Sequence, residues 1–382
     1  MMTHRERILA VLDRRSPDYV PWAPRLQLWY NARVAEGNLP ARYRGLTLRQ
    51  VEQAMGVASP ARDGRVFRTR YEGLEIRRTE KGGEILTEFI TPVGTISQLD
   101  VKTDTLEGYA DSGLPKEHLI KRVADYAVME YIYEHTYFDA AYDEYLAYER
   151  EIGDDGYPMV SIGDCPFHHF LLRLSGYDAA YYELADHLPQ VEHLVRVMEQ
   201  VELERMWPVA LDSPARLLLH GIHFDTQMTP PRLFERYITP YYRQITPRLH
   251  ARGKVLTYHA DDDSKLILKQ VRDAGFDMAE CFATAPLVSV TLAEARQAWG
   301  NDVIIFGGVP SIILEEQVMS DAEFEATMRD VFRTIAPGDA IILGVSDNVM
   351  PRAKIERVER ITQMVQEYGR YPVQHSAQTE ER

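Results

Sequence analysis

The stretch that decides the fold is residues 254–280, KVLTYHADDDSKLILKQVRDAGFDMAE. It opens with a short apolar run at 254–258, continues through a helical pattern at 264–274, and closes with a second short run at 276–280. Two strands joined through a helix form a βαβ unit, and the strands of such a unit lie parallel. The stretch therefore predicts a parallel sheet covered by helices.

The same alternation continues on both sides of this unit. The predicted strands from about residue 155 onward are 158–162, 216–220, 254–258, 276–280, 302–306 and 339–343. Helical patterns are found at 3–13, with Thr3 as the expected N-cap, and at 229–251, 264–274, 291–299, 321–335 and 354–368. An extended segment near Val20 provides a seventh strand, and the eighth is not assigned. Repeated βα units over this length predict an α/β fold, a (β/α)8 TIM barrel.

One segment departs from the pattern. Between residues 65 and 105 apolar and polar residues alternate, and turns at Lys81-Gly82-Gly83 and Thr91-Pro92 interrupt them. This predicts two or three antiparallel strands. We predict a single TIM-barrel domain over 1–375 with a β insertion at about 65–105, followed by a polar tail at 376–382.

Composition excludes several classes of protein. A formal net charge of −15 disfavours nucleic acid as a ligand, because phosphate binding needs clustered Lys and Arg. No apolar run approaches the roughly 18 residues of a membrane helix, so a cytoplasmic protein without membrane contact is expected. Cys165 and Cys281 lie far apart and form no metal-type spacing, so we expect both thiols to be inert and any metal ligands to be His and carboxylates.

Four polar residues at predicted strand ends are the candidate catalytic residues, because barrel sites lie at the carboxyl ends of the strands. His259 and Asp261 are two residues apart at one strand end, so both can face one ion. Glu280 ends the next strand and Asp347 follows the last one; by the same alternation Cys281 should point away from the site. An N/O shell of these four residues is one that zinc accepts. Structural hydrogen bonding is the alternative, and Asp262-Asp263 are expected to include an N-cap of the helix at 264–274.

Further polar and aromatic residues gather near the same strand ends, where an aromatic lining would suit a flat apolar ligand. Ordinary core packing is the alternative for the aromatic side chains and for most of the histidines. The predicted substrate-binding residues are Arg25, Trp29, Phe167, His168, His220, His223 and Tyr258.

Seven short strings are spread along nearly the whole chain. They are THRERIL at 3–9, PDYVP at 17–21, TPVGT at 91–95, HARGK at 250–254, HAD at 259–261, FGGVP at 306–310 and LGVSD at 343–347. In order and spacing they resemble the uroporphyrinogen decarboxylase superfamily, which includes cobalamin-dependent methyltransferases. The resemblance implies a TIM barrel, in agreement with the strand and helix pattern.

The strings also bear on the branch within the superfamily. Uroporphyrinogen decarboxylases carry an Arg-rich early motif, whereas the matching string PRLQLW at 24–29 has Arg25 as its main cation. Thiol-directed methyltransferases hold zinc with a His-x-Cys pair and a later Cys, where this chain has Asp261 and Asp347. The His-x-Asp and Gly-x-Ser-Asp strings are most similar to the first methyltransferases of O-demethylase systems.

That likeness implies transfer of a methyl group from a methoxylated, aromatic substrate to the cobalt of a corrinoid protein. Zinc held by His259, Asp261, Glu280 and Asp347 would polarise the ether oxygen; without a metal, His259 or a carboxylate would protonate it. The predicted partners are the corrinoid (cobalamin) protein, the small substrate and, in a homodimer, a second copy of the chain. Three alternatives remain: a decarboxylase of a carboxylated ring compound, a methylcobamide-dependent methyltransferase with another acceptor, and a barrel that only binds a corrinoid or a small aromatic.

Overall fold

A six-stranded parallel sheet forms the centre of the protein. The computed structural model describes residues 1–102 and 114–374. The strands are Met159–Gly163 (β1), Leu217–Ile222 (β2), Val255–His259 (β3), Met278–Phe282 (β4), Ile304–Val309 (β5) and Ile341–Val345 (β6), and each pairs with the next along the chain. All six predicted strands are confirmed, with ends displaced by one to three residues.

The two faces of this sheet bury separate cores, because successive side chains of a strand point to opposite faces. One core fills the space between the sheet and the helices around it. The other lies on the opposite face of the sheet and consists of Ile8, Val11, Leu12, Ala23, Ala58, Tyr157, Met159, Leu217, Leu219, Val255, Met278, Ile304, Phe306 and Ile342. Three of these residues belong to the first helix, which therefore packs against this opposite face. Arg14, just after this helix, donates to the carbonyl oxygens of Asn301 and Asp302 ahead of β5, which places the helix at the amino end of the strands.

Hydrogen bonding continues beyond both edges of the six-stranded sheet. Along β6, Trp22 forms a parallel bridge with Leu343, and the amide of Ala23 donates to the Leu343 carbonyl. The amide of Ala58 donates to the Trp22 carbonyl at 2.9 Å. At the opposite edge, the amide of Met159 in β1 donates to the Ala61 carbonyl at 2.9 Å. The predicted extended segment near Val20 is therefore present beside β6, and a second extended segment lies between it and β1.

Helices follow the strands as predicted. The α-helices are His4–Leu12, Gln27–Ala35, Leu48–Met55, Ala124–Glu134, Tyr142–Ile152, Pro166–His169, Tyr177–Asp186, Leu188–Val201, Trp207–Asp212, Pro231–Leu233, Thr239–His250, Leu268–Ala274, Leu292–Trp299, Asp321–Ile335 and Ile355–Tyr368. Thr3 caps the first helix in a capping box with Glu6, as expected. The expected N-cap at Asp262-Asp263 is wrong, because the helix begins later, at Leu268, and Asp263 instead accepts from the amide of Lys265 in the turn before it.

Antiparallel strands precede the parallel sheet. They are Phe67–Tyr71, Glu75–Lys81, Glu84–Thr91, Gly94–Val101, Leu114–Glu117 and Thr136–Ala140. The second to fifth form one sheet in chain order, and the first pairs with the sixth. Two or three strands were predicted at 65–105, and the structure has four there; residues 103–105 of that range and the predicted tail at 376–382 lie outside the described residues.

The two ends of the described chain meet. Tyr19 forms an antiparallel bridge with Arg370, the amide of Val20 donates to the Gly369 carbonyl, and the amide of Tyr371 donates to the Asp18 carbonyl. None of the helices in the described ranges combines the length and the apolar character that crossing a bilayer demands.

Candidate functional site

His259 is the centre of a polar cluster at the carboxyl end of the sheet. It is the last residue of β3, and its register partner on β4 is Glu280. Both side chains are buried, and Nδ1 of the ring lies 2.7 Å from Oε2 of Glu280. A carboxylate on one ring nitrogen fixes both the orientation of the ring and the position of its proton. Glu280 therefore directs Nε2 of His259 to the other side.

Two further carboxylates surround that second nitrogen. Nε2 of His259 lies 3.3 Å from Oδ2 of Asp261 and 3.5 Å from Oδ1 of Asp347. Asp261 also accepts from His223, whose Nδ1 lies 2.7 Å from Oδ1. The structure thus brings together all four predicted catalytic residues, and it adds His223, which was predicted only as a substrate contact.

Two arginines balance the acidic residues. Nη1 of Arg62 lies 3.0 Å from Oε1 of Glu280, and Nη1 of Arg25 lies 3.0 Å from Oδ1 of Asp347. Arg25 was predicted, and Arg62 was missed. Arg62 follows the extended stretch around Ala58, which is hydrogen-bonded to Trp22. Assigning the missing eighth strand to that stretch would have placed Arg62 at a strand end.

Charges within the cluster set the protonation of its members. Burial opposes protonation of His259, but the charge of Glu280 and the bonds to Asp261 and Asp347 outweigh it and raise the pKa of the ring well above 6.5. Burial likewise opposes ionisation of Glu280, but Arg62 and His259 lower the pKa of this carboxyl to about 2. The cluster is consequently built from ionised carboxylates facing cations.

Cys281 lies inside the cluster, so the expectation that it points away is wrong. The pairing of β4 with β5 shifts register between Glu280 and Phe282, and Cys281 has a positive φ of 54°. This bulge breaks the alternation of side chains. Sγ consequently lies 2.9 Å from Oε1 of Glu280 and 3.5 Å from Nη1 of Arg62. Burial and the adjacent Glu280 raise the pKa of the thiol to about 11, which keeps it protonated.

Two overlapping groups of side chains have the spacing of metal ligands. One is His223, His259 and Asp261, and the other is His259, Glu280 and Cys281; within each group the ligand atoms lie within 4.8 Å of one another. The four-residue shell predicted from the sequence does not fit a single ion, because Glu280 approaches Nδ1 of His259 while Asp261 and Asp347 approach Nε2. Nitrogen and carboxylate donors of the first group suit zinc.

Five of the predicted substrate contacts are buried in the packed core. Trp29 is 2% exposed and Phe167 1%, while His168, His220 and Tyr258 are fully buried. Their burial agrees with the core-packing alternative, and it leaves Arg25 and His223 as the partly exposed members of the predicted set.

The two buried histidines have hydrogen-bond partners outside the cluster. His168 contacts Asp164 through Nδ1 at 2.6 Å and the hydroxyl of Tyr177 through Nε2 at 2.9 Å. Nδ1 of His220 lies 3.0 Å from the hydroxyl of Tyr242, and burial lowers the pKa of His220 to about 3. Both histidines therefore belong to the helix-facing core. The sequence predicted them as substrate contacts because its pattern alone does not distinguish the two faces of the sheet at a strand end.

A cavity adjoins the cluster. Its volume is about 420 Å³, within the range of small-molecule sites. Arg25 and Arg62 belong both to its wall and to the ion pairs with Asp347 and Glu280. Most of the remaining wall comes from the helix Leu48–Met55 and from the segment that follows it. A ligand in this cavity would thus lie against the cations of the cluster.

Comparison with known proteins supports the resemblance in part. Residues 224–368, less than half of the chain, match the family model described as Uroporphyrinogen decarboxylase (URO-D). No curated protein matches the chain in sequence. Matching solved structures include a methyltransferase from Methanosarcina mazei, 12% identical, with a TM-score of 0.57 over 96% of this chain and 99% of that one. At such low identity the likeness shows the fold alone, an α/β fold with a parallel sheet.

Proposed function

We propose that this protein is a methyltransferase that moves a methyl group from a methoxylated, aromatic substrate to the cobalt of a separate corrinoid protein. The observation that carries the proposal is the convergence of His223, His259, Asp261 and Asp347 at the carboxyl end of the sheet, beside a cavity of about 420 Å³. Such a site can bind a small ether and stabilise the oxygen that the methyl group leaves.

The proposed reaction is a displacement at the methyl carbon. Cobalt(I) of the corrinoid supplies the electron pair of the new carbon–cobalt bond, and the pair of the broken carbon–oxygen bond stays on the oxygen. That oxygen takes up a proton and leaves as a phenol. Because an oxygen anion is a poor leaving group, stabilisation of this oxygen is what the protein must supply.

His223, His259 and Asp261 are the residues that would hold a zinc ion, since their ligand atoms already lie within 4.8 Å of one another. When bound, the ion would act as a Lewis acid on the ether oxygen, a contribution of several kcal/mol. Glu280 would orient His259 through Nδ1, and Arg62 would balance the charge of Glu280. In a metal-free protein, Nε2 of His259 would instead hold the proton that the leaving oxygen takes up.

The proposal includes closure of the sheet into a (β/α)8 barrel. The segments around Trp22 and Ala58 would take the places of the first two strands, since they bond to each other and to opposite edges of the six-stranded sheet. In a closed barrel, Arg25 and Arg62 follow strands one and two, so the cluster lies at the mouth where barrel enzymes carry their sites.

A decarboxylase of a carboxylated ring compound is the second candidate. Two observations favour it: the family match over residues 224–368 and the presence of Arg25 and Arg62 in the cavity wall beside the cluster, which suits substrate carboxylates. In that reaction the carbon–carbon bond to the carboxylate breaks, CO₂ leaves, and a proton from His259 replaces it on the ring substituent.

The test combines elemental analysis with a transfer assay. Purified protein is analysed for metal, then incubated with methoxylated aromatics and free cob(I)alamin, and methylcobalamin is followed by its absorbance. The expected result is about one zinc per chain and transfer that a chelator abolishes and zinc restores. Transfer by a metal-free protein would show that the proton on His259, and not a metal ion, stabilises the leaving oxygen. Release of CO₂ from a carboxylated ring, without methyl transfer, would overturn the proposal in favour of the decarboxylase.

A further inference from the structure

We propose that Tyr242 is a positioning residue of the site: its hydroxyl clamps a bulge of β2 at His220 and Gly221, and that bulge turns His223 into the cluster. The use of His223 as a metal ligand rests on the proposed function. The clamp itself follows from the contacts of Tyr242 with the chain that leads to His223.

β2 bulges just before it ends. Its pairing with β3 is regular up to Leu219 and resumes at Ile222 after a shift of register. His220 and Gly221 lie within this shift. An extra residue in one strand bends the strand and re-aims the side chains that follow. His223 comes directly after β2, so the bulge, and not the alternation of the strand, sets the direction of its side chain.

His223 is held in a conformation that residues other than glycine rarely adopt, with a φ of 52°. Its amide donates to the carbonyl oxygen of His259 at 3.1 Å, and its Nδ1 lies 2.7 Å from Oδ1 of Asp261. These bonds fix His223 on the side of the cluster. The backbone that leads to it depends on the contacts of His220 and Gly221.

The hydroxyl of Tyr242 bonds to His220 twice. It donates to the carbonyl oxygen of His220 at 3.1 Å, and Nδ1 of the same residue lies 3.0 Å from it. A hydroxyl has one proton, so with that proton on the carbonyl the ring must donate from Nδ1. Burial lowers the pKa of His220 to about 3, which keeps the ring neutral, with this single N–H. One hydroxyl therefore ties the main chain and the side chain of His220 together.

Gly221 allows the hydroxyl to reach the backbone of the bulge. Gly221 has a φ of 101°, and a Cβ there would lie 2.8 Å from the hydroxyl oxygen of Tyr242. The ring of Tyr242 is fully buried, and its centroid lies 4.4 Å from that of Phe276. The hydroxyl is thus presented to the bulge by a ring that the core holds in place.

Two neighbouring tyrosines provide a variant and its matched control. Tyr242→Phe removes the hydroxyl and keeps the buried ring. Tyr241→Phe removes a buried hydroxyl from the same helix, but that hydroxyl accepts from Nε1 of Trp207 at 2.7 Å and donates to Glu202, and neither partner belongs to the bulge. General loosening of the core would therefore affect both variants, whereas loss of the clamp affects only the first.

Cobalt(II) is the probe, because nitrogen and oxygen ligands bind it as they bind zinc, and its visible absorption reports the ligand geometry. We expect Tyr242→Phe to bind cobalt about 10-fold more weakly, the lower end of what the loss of an orienting contact costs, and with altered absorption bands. Tyr241→Phe should keep the wild-type affinity and bands. Wild-type behaviour of Tyr242→Phe, or an equal loss in Tyr241→Phe, would refute the clamp.

A double variant tests whether the effect passes through His223. Once His223→Ala has removed the side chain that the bulge directs, the addition of Tyr242→Phe should weaken cobalt binding by less than about twofold, since residues that act as a unit are not additive. A second loss as large as that of Tyr242→Phe alone would show that Tyr242 acts on the site by another route.

Failure of this inference is distinguishable from failure of the proposed function. If the wild-type protein binds no cobalt, the metal role fails, and the position of His223 is followed by the NMR resonances of its imidazole C–H groups, assigned by their absence in His223→Ala. Tyr242→Phe should shift these resonances in the metal-free protein, and Tyr241→Phe should leave them in place. Unshifted resonances in Tyr242→Phe would rule out the clamp even in a protein that transfers methyl groups.

Discussion

Oε2 of Glu280 lies 2.7 Å from Nδ1 of His259, across two neighbouring strands that place the two residues in register. The ring is therefore held by its first nitrogen and presents only the second to any ligand. Because Asp261 and Asp347 approach that second nitrogen, the two sides of one imidazole have separate roles. Nδ1 fixes the orientation of the ring, and Nε2 is the nitrogen available to a metal ion or a substrate.

Glu280→Gln should weaken metal retention without abolishing it. An amide can still accept from Nδ1, but it lacks the charge that makes the imidazole a stronger donor to a metal, and loss of such partners typically costs about 10–100-fold in affinity. Competition with a chromophoric chelator measures the change. Glu294→Gln, at an exposed capping box, is the control and should retain wild-type affinity. Unchanged affinity in Glu280→Gln would show that His259 is not a ligand.

The two candidate groups of metal ligands make opposite predictions. If the ion is held by His223, His259 and Asp261, then His223→Ala and Asp261→Ala should each lose it, whereas Cys281→Ser should keep it. Metal per folded chain, measured after gel filtration, distinguishes the two. Loss of metal in Cys281→Ser, with retention in Asp261→Ala, would transfer the site to the group that contains the thiol.

Arg62→Leu should destabilise the protein by up to about 3–5 kcal/mol, because it leaves the buried carboxylate of Glu280 with only one of its two cationic partners, His259. The double variant Arg62→Leu/Glu280→Leu should recover much of this loss, since it removes the carboxylate together with the arginine, and His259 keeps Asp261 and Asp347 as partners. Urea unfolding of the two single variants and the double variant measures the coupling. Strictly additive losses would show that the ion pair contributes no free energy of its own.

Gly307→Ala should destabilise the fold by at least about 2 kcal/mol, because a Cβ there would lie 2.7 Å from the carbonyl oxygen of Phe282, and Gly307 has a φ of 148°. The clash falls on the β4 bulge that carries Cys281. Gly253→Ala is the matched control, with a positive φ but no atom within 4 Å, and it should cost about 1 kcal/mol. Similar losses in thermal unfolding would show that the bulge yields to the methyl group.

Glu52 should make stability fall as pH rises from about 4.5 to 7. Burial raises the pKa of Glu52 from 4.5 to about 7, with Arg49 opposing and with Asp155 and Asp63 adding to the shift. Between these values the folded protein holds a proton that the unfolded chain has lost, so folding is favoured at the acid end of the window and loses about 3 kcal/mol across it.

Glu52→Gln lacks the carboxyl group that titrates in this window, so its unfolding free energy should depend less on pH by about that amount. Chemical unfolding at pH 5, 6 and 7 provides the comparison with wild type. Glu294→Gln should keep the wild-type dependence, because the pKa of Glu294 is lowered and lies below the window. Parallel curves for wild type and Glu52→Gln would show that Glu52 titrates normally.

The sequence predicted the repeating parts of this structure well. The βαβ pattern at 254–280 correctly indicated the parallel sheet, and alternation along β3 placed His259 and Asp261 together. The alternation of side chains predicted the wrong direction for Cys281, one residue after Glu280. The bulge at Cys281 depends on how β4 pairs with β5, and the local sequence pattern does not indicate that pairing.

Long-range contacts explain the other omissions. Arg62 reaches Glu280 across more than two hundred positions of chain, and the segment before it is too short and too irregular to be recognised as a strand. The aromatic residues Trp29, Phe167 and Tyr258 have the composition of a binding surface and the burial of a core, and only packing separates the two.

The pairing of Asp18, Tyr19 and Val20 with residues 369–371 has a consequence for biosynthesis. A ribosome completes the early segment long before it makes the residues that bond to it. Until the last helix has emerged, the strip of backbone around Tyr19 lacks these partners, and the nascent chain displays open hydrogen-bonding groups at a sheet edge, the kind of surface on which chains associate wrongly. The pairing of this strip is thus delayed until residues 369–371 have been made, and a chain truncated before residue 369 should depend on chaperones far more than one that contains them.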